Sequence, residues 1–148
     1  MEIQPDFKEL LALLNQNKVE YIVVGAFAMA FHGAPRFSGD IDIYVHPTPE
    51  NARRIIKMLQ DFDFGSLGLK ETDFDRPGQI IQLGQPPVRI DLITSISGVT
   101  WEEADNGKAS GKYDNIPVYY LGRKQFIANK RASGRKKVLS DLEALGEE

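Results

Sequence analysis

Asp40-Ile41-Asp42-Ile43-Tyr44-Val45 alternates polar and apolar residues, the pattern of a half-buried strand. Residues two apart on a strand share a face and lie roughly 6–7 Å apart at the backbone. Asp40 and Asp42 therefore project together, while Ile41, Ile43 and Val45 project into a core. Downstream, Val88-Arg89-Ile90-Asp91-Leu92-Ile93 repeats the design, with Val88, Ile90 and Leu92 facing the core and Asp91 opposite. If the two strands pair, three carboxylates gather on one exposed face of a sheet.

Such a cluster is electrostatically costly when empty, because like charges raise one another's pKa. Hard divalent cations relieve it, taking oxygen ligands from carboxylates and from substrate phosphates. Two ions about 4 Å apart can stabilise the attacking and leaving oxygens of an in-line displacement at phosphorus. An isolated Asp-x-Asp is more often solvated surface, so the residues upstream decide the reading. There, Val23-Val24-Gly25-Ala26 runs from a strand through glycine into a helix. Amides at a helix start form an anion site, and glycine lets the backbone approach a phosphate closely.

Outward from these segments, strands and helices interleave. Phe7, Leu10, Leu11 and Leu14 recur at helical spacing over residues 6–17, and residues 21–24 form a β-branched run ended by Gly25. Helices are expected over 26–31, 50–62, 101–106, 124–132 and 136–145, and strands over 40–45, 79–83, 88–93 and 118–121. Residues 63–77 carry no assignment. This order predicts an α/β (α+β) fold with a mixed sheet and flanking helices, in one domain spanning 1–148.

Composition agrees. The 148 residues are 42% hydrophobic and 26% charged, near globular averages. Cysteine is absent, which excludes a disulfide framework, a thiolate zinc site and a cysteine nucleophile, and fits a reducing cytoplasm. Residues 1–6 lack the apolar run of a signal peptide, and the apolar stretch 21–31 is too short to span a bilayer. A soluble cytoplasmic protein without membrane partners is expected. Residues 123–148 hold seven Lys/Arg against four Asp/Glu, a net of +3, leaving −6 of the total −3 elsewhere. A basic tail on an acidic body can meet phosphates.

Gly25-Ala26, thirteen intervening residues, Asp40-Ile41-Asp42 and the later Asp91 together resemble the nucleotidyltransferase superfamily that includes polymerase β. Arg36, Ser38, Asp40, Ile41 and Asp42 match the Arg-x-Ser/Thr-x-Asp-Ile-Asp run of its small prokaryotic branch, related to AbiEii-type toxins. Phe126 to Arg135 resembles that branch's Lys motif and the Arg that follows, and Asp141 its closing Asp. Ala26 departs from the usual Gly or Ser, removing a hydroxyl that could hold a terminal phosphate. Val138 replaces an Asp found in many relatives.

The resemblance implies Mg²⁺ or Mn²⁺ on Asp40, Asp42 and Asp91 as catalytic residues, with Asp91 helping to take the acceptor's proton. It implies a nucleoside triphosphate held near Gly25, Ala26, Arg36, Ser38, Lys130 and Arg135. Arg36 could instead pair with a carboxylate of the cluster. Transfer of a nucleoside monophosphate to an RNA, protein or small-molecule acceptor is the expected function. The rival is a non-catalytic, antitoxin-like module of the same fold acting through a protein partner in a toxin–antitoxin pair. His32 and His46 are not spaced as zinc ligands; Trp101, Tyr119 and Tyr120 read as packing; Ser95 and Ser97 lack a His-Asp relay.

Overall fold

The strand β1 (Tyr21–Val24) is buried along its whole length because both faces of the sheet are covered there. Its apolar run Tyr-Ile-Val-Val is what such a central position demands. In the computed structural model, which describes residues 3–34, 39–62, 68–85 and 88–134, β1 pairs antiparallel with β2 (Asp40–Val45) and parallel with β6 (Ile116–Tyr120). Beyond β2 lie β4 (Val88–Ile93), parallel to it, and β3 (Ile80–Gln85), antiparallel to β4; β5 (Ala109–Tyr113) closes the other edge against β6. The described residues thus form a mixed six-stranded sheet in the order β3-β4-β2-β1-β6-β5.

Alternation along each strand divides the core. One face carries Tyr21, Val23, Ile41, Ile43, Val45, Ile90 and Leu92, packed beneath α1 (Pro5–Gln16) and α3 (Pro49–Asp61) through Leu10, Leu14, Ile55 and Leu59. The other carries Ile22, Val24 and Tyr44 beneath α2 (Gly25–Phe31), α4 (Trp101–Gly107) and α5 (Arg123–Ser133), through Ala28, Met29, Trp101, Ala104 and Phe126. The pleat puts Asp40 and Asp42 on the face of Tyr44. That face is therefore apolar at one end of β2 and acidic at the other.

Six helices were expected; the five over the described residues form, with ends shifted by a residue or so. The helix expected over 136–145 lies outside the described residues. Two strand readings change: β3 runs to Gln85, two residues past its expected end, and β6 begins at Ile116. β5 was not expected. Its sequence Ala-Ser-Gly-Lys-Tyr has little apolar alternation, and Gly111 is required because Phe31 and Tyr120 crowd the position a side chain would take.

One buried polar side chain ties the far end of β2 to the rest. Asn51, 1% exposed, accepts from the Glu20 amide at 2.8 Å and donates to the Glu20 and His46 carbonyls at 3.0 Å each. Thr48 caps α3 by accepting from the Asn51 amide at 3.2 Å. Asn51→Ala is expected to leave these backbone groups unpaired and to cost about 1–2 kcal/mol in urea unfolding. Asn51→Leu, equally deprived of partners, should fare no better if hydrogen bonding rather than volume is what matters.

Candidate active site

The register brings the acidic residues together. Asp42 is the direct neighbour of Asp91 across the parallel β2–β4 pair, and Asp40 is the neighbour of Arg89. Paired strands lie about 4.8 Å apart, and partners in register share a face. Asp40, Asp42, Arg89 and Asp91 therefore occupy a two-by-two patch at the start of both strands. Across the antiparallel β1–β2 pair, Val24 faces Asp42, so the turn into α2 abuts the same carboxylate.

Burial and charge act unequally on these groups. Asp91 is only 7% exposed, whereas Asp40 and Asp42 are half-buried. Arg89 donates from Nη2 to Asp40 Oδ2 at 2.8 Å and, more weakly, to Asp91 Oδ2 at 3.4 Å. Its Nε lies 3.2 Å from Asp91 Oδ1, but at an angle that makes no hydrogen bond. Among the described residues neither buried atom has another hydrogen-bond partner. Burial is the main reason the Asp42 carboxyl is pushed up to about 6; the Asp91 charge and a hydrogen bond with Asp91 add to it, then the Asp40 charge, while Lys130 opposes it.

Gly25 has φ +66°, a left-handed conformation, and a side chain there would run into the Asp42 carboxylate. Both facts call for glycine. Gly25→Ala should lose about 1–2 kcal/mol of stability through the backbone alone, and should also displace Asp42. Gly33, at φ +96° with open space around it, is the control. Gly33→Ala should destabilise without affecting ligands at the carboxylates; equal loss of triphosphate binding in the two variants, read by nucleotide titration, would count against contact with Asp42. Ala26 follows within α2, which has only seven residues and so a short dipole.

Lys130 lies on α5. Phe126, fully buried, anchors the helix on the sheet, and Lys130 Nζ lies 5.3 Å from its ring centroid, one turn further on. The Lys130 charge is felt at Asp42. Arg131 is exposed and, with Arg123, Lys124, Ile127 and Ala128, lines a surface hollow of about 590 Å³ on another side of α5. None of the carboxylates lines that hollow. Arg36, Ser38 and Arg135 lie outside the described residues.

Arg89 is the residue that sequence reasoning passed over. Arg36, which the sequence pattern offers as a partner of the cluster, lies outside the described residues; among those described, Arg89 makes ion pairs with Asp40 and Asp91. The signal was present: Arg89 precedes Asp91 by two and must share its face. Of the aromatic residues read as packing, Trp101 and Tyr120 are buried, whereas Tyr119 is 41% exposed with Lys108 over its ring. Trp101 packs edge-on against Tyr44 and stacks on His46, whose Nδ1 pairs with Glu20 at 2.7 Å. His32 Nε2 donates to the Leu121 carbonyl at 2.7 Å, Tyr120 stacks with Phe31, and Ser95 Oγ accepts from the Gly78 amide at 3.0 Å.

The donor set suits a hard cation in chemistry. It offers carboxylate oxygens only, with Asp91 Oδ1 buried and without a hydrogen bond, and with the Asp42 carboxyl raised first by burial and then by its acidic neighbours. As the side chains stand, no three His, Asp or Glu residues among those described are grouped closely enough to hold a metal ion. Arg89 stands between two of the three carboxylates. No described helix is long and apolar enough to cross a membrane.

The fold is that of the nucleotidyltransferases. No family model matches the chain, and no curated protein does; the likeness is to solved structures. One is a nucleotidyltransferase candidate from Thermotoga maritima, 15% identical with a TM-score of 0.61, the match covering 98% of this chain and 93% of that one. A second is the lincosamide antibiotic adenylyltransferase LnuA bound to lincomycin, 12% identical with a TM-score of 0.59, covering 99% and 98%. A third is the antibiotic-resistance factor ANT(2'')-Ia, 13% identical with a TM-score of 0.60, covering 95% and 80%. Identity this low carries the fold and no more.

Proposed function

We propose that this chain is a metal-dependent nucleotidyltransferase, moving a nucleoside monophosphate from a triphosphate to an acceptor. The observation that carries the reading is the in-register pair Asp42 and Asp91, with Asp40 on the same face and the Lys130 charge within reach. Asp40, Asp42 and Asp91 are the residues that would hold Mg²⁺ or Mn²⁺. The bound metal would supply neutralisation of the triphosphate charge and polarisation at the α-phosphorus.

The chain's own residues perform the remaining tasks. Asp91 would bind the ion nearest the acceptor and help take the proton of an acceptor hydroxyl, a role that its buried carboxylate supports. The acceptor oxygen then bonds to the α-phosphorus, the bond to the bridging oxygen breaks, and pyrophosphate departs. Lys130 faces the developing charge of the leaving phosphates as a point charge. Gly25 leaves room beside Asp42 for the triphosphate. Arg36, Ser38 and Arg135 are assigned to the triphosphate on their place in the sequence pattern. Catalysis of this kind is mostly positioning and charge neutralisation.

The acceptor is an RNA, a protein or a small molecule. The likeness to LnuA, a lincosamide antibiotic adenylyltransferase matched over 98% of its chain, favours a small-molecule acceptor. An AbiEii-like role beside a protein partner rests on the Arg36 to Asp42 run and on residues 126–135. Incubation with Mg²⁺, each labelled triphosphate and pools of small molecules, RNAs and proteins tests the proposal. Label transfer dependent on metal and on Asp42 supports it; failure to bind metal or triphosphate at all would overturn it.

A further inference from the structure

We infer that Arg89 is a resident counter-cation of the acidic patch, which lets go of Asp91 when a divalent ion enters and so sets the metal affinity of the site. The inference rests on the metal-dependent reading above and deepens it. Arg89 is on this view a positioning residue, acting through the carboxylates rather than on substrate.

Three observations carry it. First, the guanidinium stands where positive charge is most needed, 2.8 Å from Asp40 and 3.2 Å from Asp91. Second, its two contacts differ in quality. Toward Asp40 it makes a short hydrogen bond. Toward Asp91 it makes one long bond at 3.4 Å, and the adjacent Nε and Oδ1 face each other unbonded, both buried. A guanidinium built as a permanent carboxylate partner normally forms two parallel bonds, because its fork matches the two oxygens. The Asp91 side is therefore the contact that yields at least cost. Unbonded buried polar atoms are themselves destabilising, and a ligand on Asp91 Oδ1 would end that state for the oxygen.

Third, the register supplies the pivot. Arg89 is the direct strand neighbour of Asp40, whereas Asp91 is two residues along its own strand. Rotation of the side chain can keep the Asp40 bond while clearing Asp91 and the space toward Asp42. A cation that remains on the face, yet off the central carboxylate, would hold the carboxylates together before loading without blocking them afterwards. An entering ion must outcompete it, which favours strongly charged divalent ions over monovalent ones.

The test uses the full chain, freed of metal and titrated with Mn²⁺ by the paramagnetic resonance of the free ion. Parent, Arg89→Gln, Arg89→Lys and Asp42→Asn are compared. Loss of one positive charge beside the ion should tighten Mn²⁺ binding by Arg89→Gln about tenfold or more. Arg89→Lys, keeping charge without the fork, should lie closer to the parent. In the parent, the Arg89 Nε–H resonance, assigned by its loss in Arg89→Gln or Arg89→Lys, should shift as Mg²⁺ saturates. Mn²⁺ affinity of Arg89→Gln equal to or weaker than the parent's, or an Nε–H resonance unmoved by saturating Mg²⁺, would overturn the inference. If the parent binds Mn²⁺ and Asp42→Asn does not, the metal reading survives such a result and only the Arg89 role falls. If no protein binds Mn²⁺, both fall together. Should Arg89→Gln fail to fold, Arg89→Lys and the resonance of the parent decide.

Discussion

Asp42→Asn is expected to abolish label transfer, by about a thousandfold or more, while making the metal-free protein harder to unfold. The two effects have one origin. Burial and the Asp91 and Asp40 charges raise the Asp42 carboxyl from 3.8 to about 6, so its ionised form is disfavoured in the folded chain. The sign follows from proton counting. Between about pH 4 and 6 the folded state holds a proton that the unfolded state has released, so stability falls as pH rises through this window. Below it both states are protonated and the penalty vanishes; above it the full penalty remains. Its ceiling is roughly 3 kcal/mol, less what solvent screens at a half-buried group.

Asparagine cannot ionise and escapes that penalty. In the presence of a chelator, the variant should therefore melt several degrees above the parent at pH 7.5 and match it near pH 4. With saturating Mg²⁺ the ranking should reverse, since only the parent gains from binding. A parent whose stability is flat between pH 4 and 6, or an Asp42→Asn variant that still transfers label, would remove the carboxylate pair from the centre of the proposal.

Lys130→Ala is expected to weaken all four nucleoside triphosphates alike, by roughly ten- to a hundredfold, the worth of one charge-assisted contact to phosphate. Base-independence is expected because the Lys130 charge lowers the Asp42 pKa, and so acts where metal and phosphates would lie, while the ring it lies against is the buried Phe126 of its own helix. Arg131 is the internal control. It lies about 100° round the same helix, is exposed, and lines the hollow on another side of α5. Arg131→Ala should change affinity little, and that little should fade with salt. Lys130→Arg should recover only part of the loss, because a planar fork does not reproduce a point charge. Equal losses at Lys130 and Arg131 would make α5 a generally basic surface and leave the carboxylates alone to argue for a site.

Much of this was legible in one dimension, where the governing rule is local. Period-two alternation puts Asp40 and Asp42 on one face of their strand whatever else the chain does, and the same rule separates Asp91 from Ile90 and Leu92. Helical spacing marked Phe7, Leu10, Leu11 and Leu14 as one face, and each is buried. The strand β5 escaped because edge strands need little apolar sequence, and Gly111 is explained only by the rings of Phe31 and Tyr120 lying over it. Arg89 escaped for another reason: its face was readable, but its partners were not.

The sequence by itself therefore determined which side chains share a face: two carboxylates on one strand, one on another, a glycine before a helix and a lysine on the last described helix. Only the tertiary structure decided that β2 and β4 pair in parallel with Asp42 opposite Asp91, that a side chain at Gly25 would strike Asp42, and that Arg89 bridges Asp40 and Asp91. The physical reason is range. Side-chain direction follows from the covalent geometry of neighbouring residues, whereas strand order and register are chosen by burial of both sheet faces at once, a sum over residues far apart in the chain.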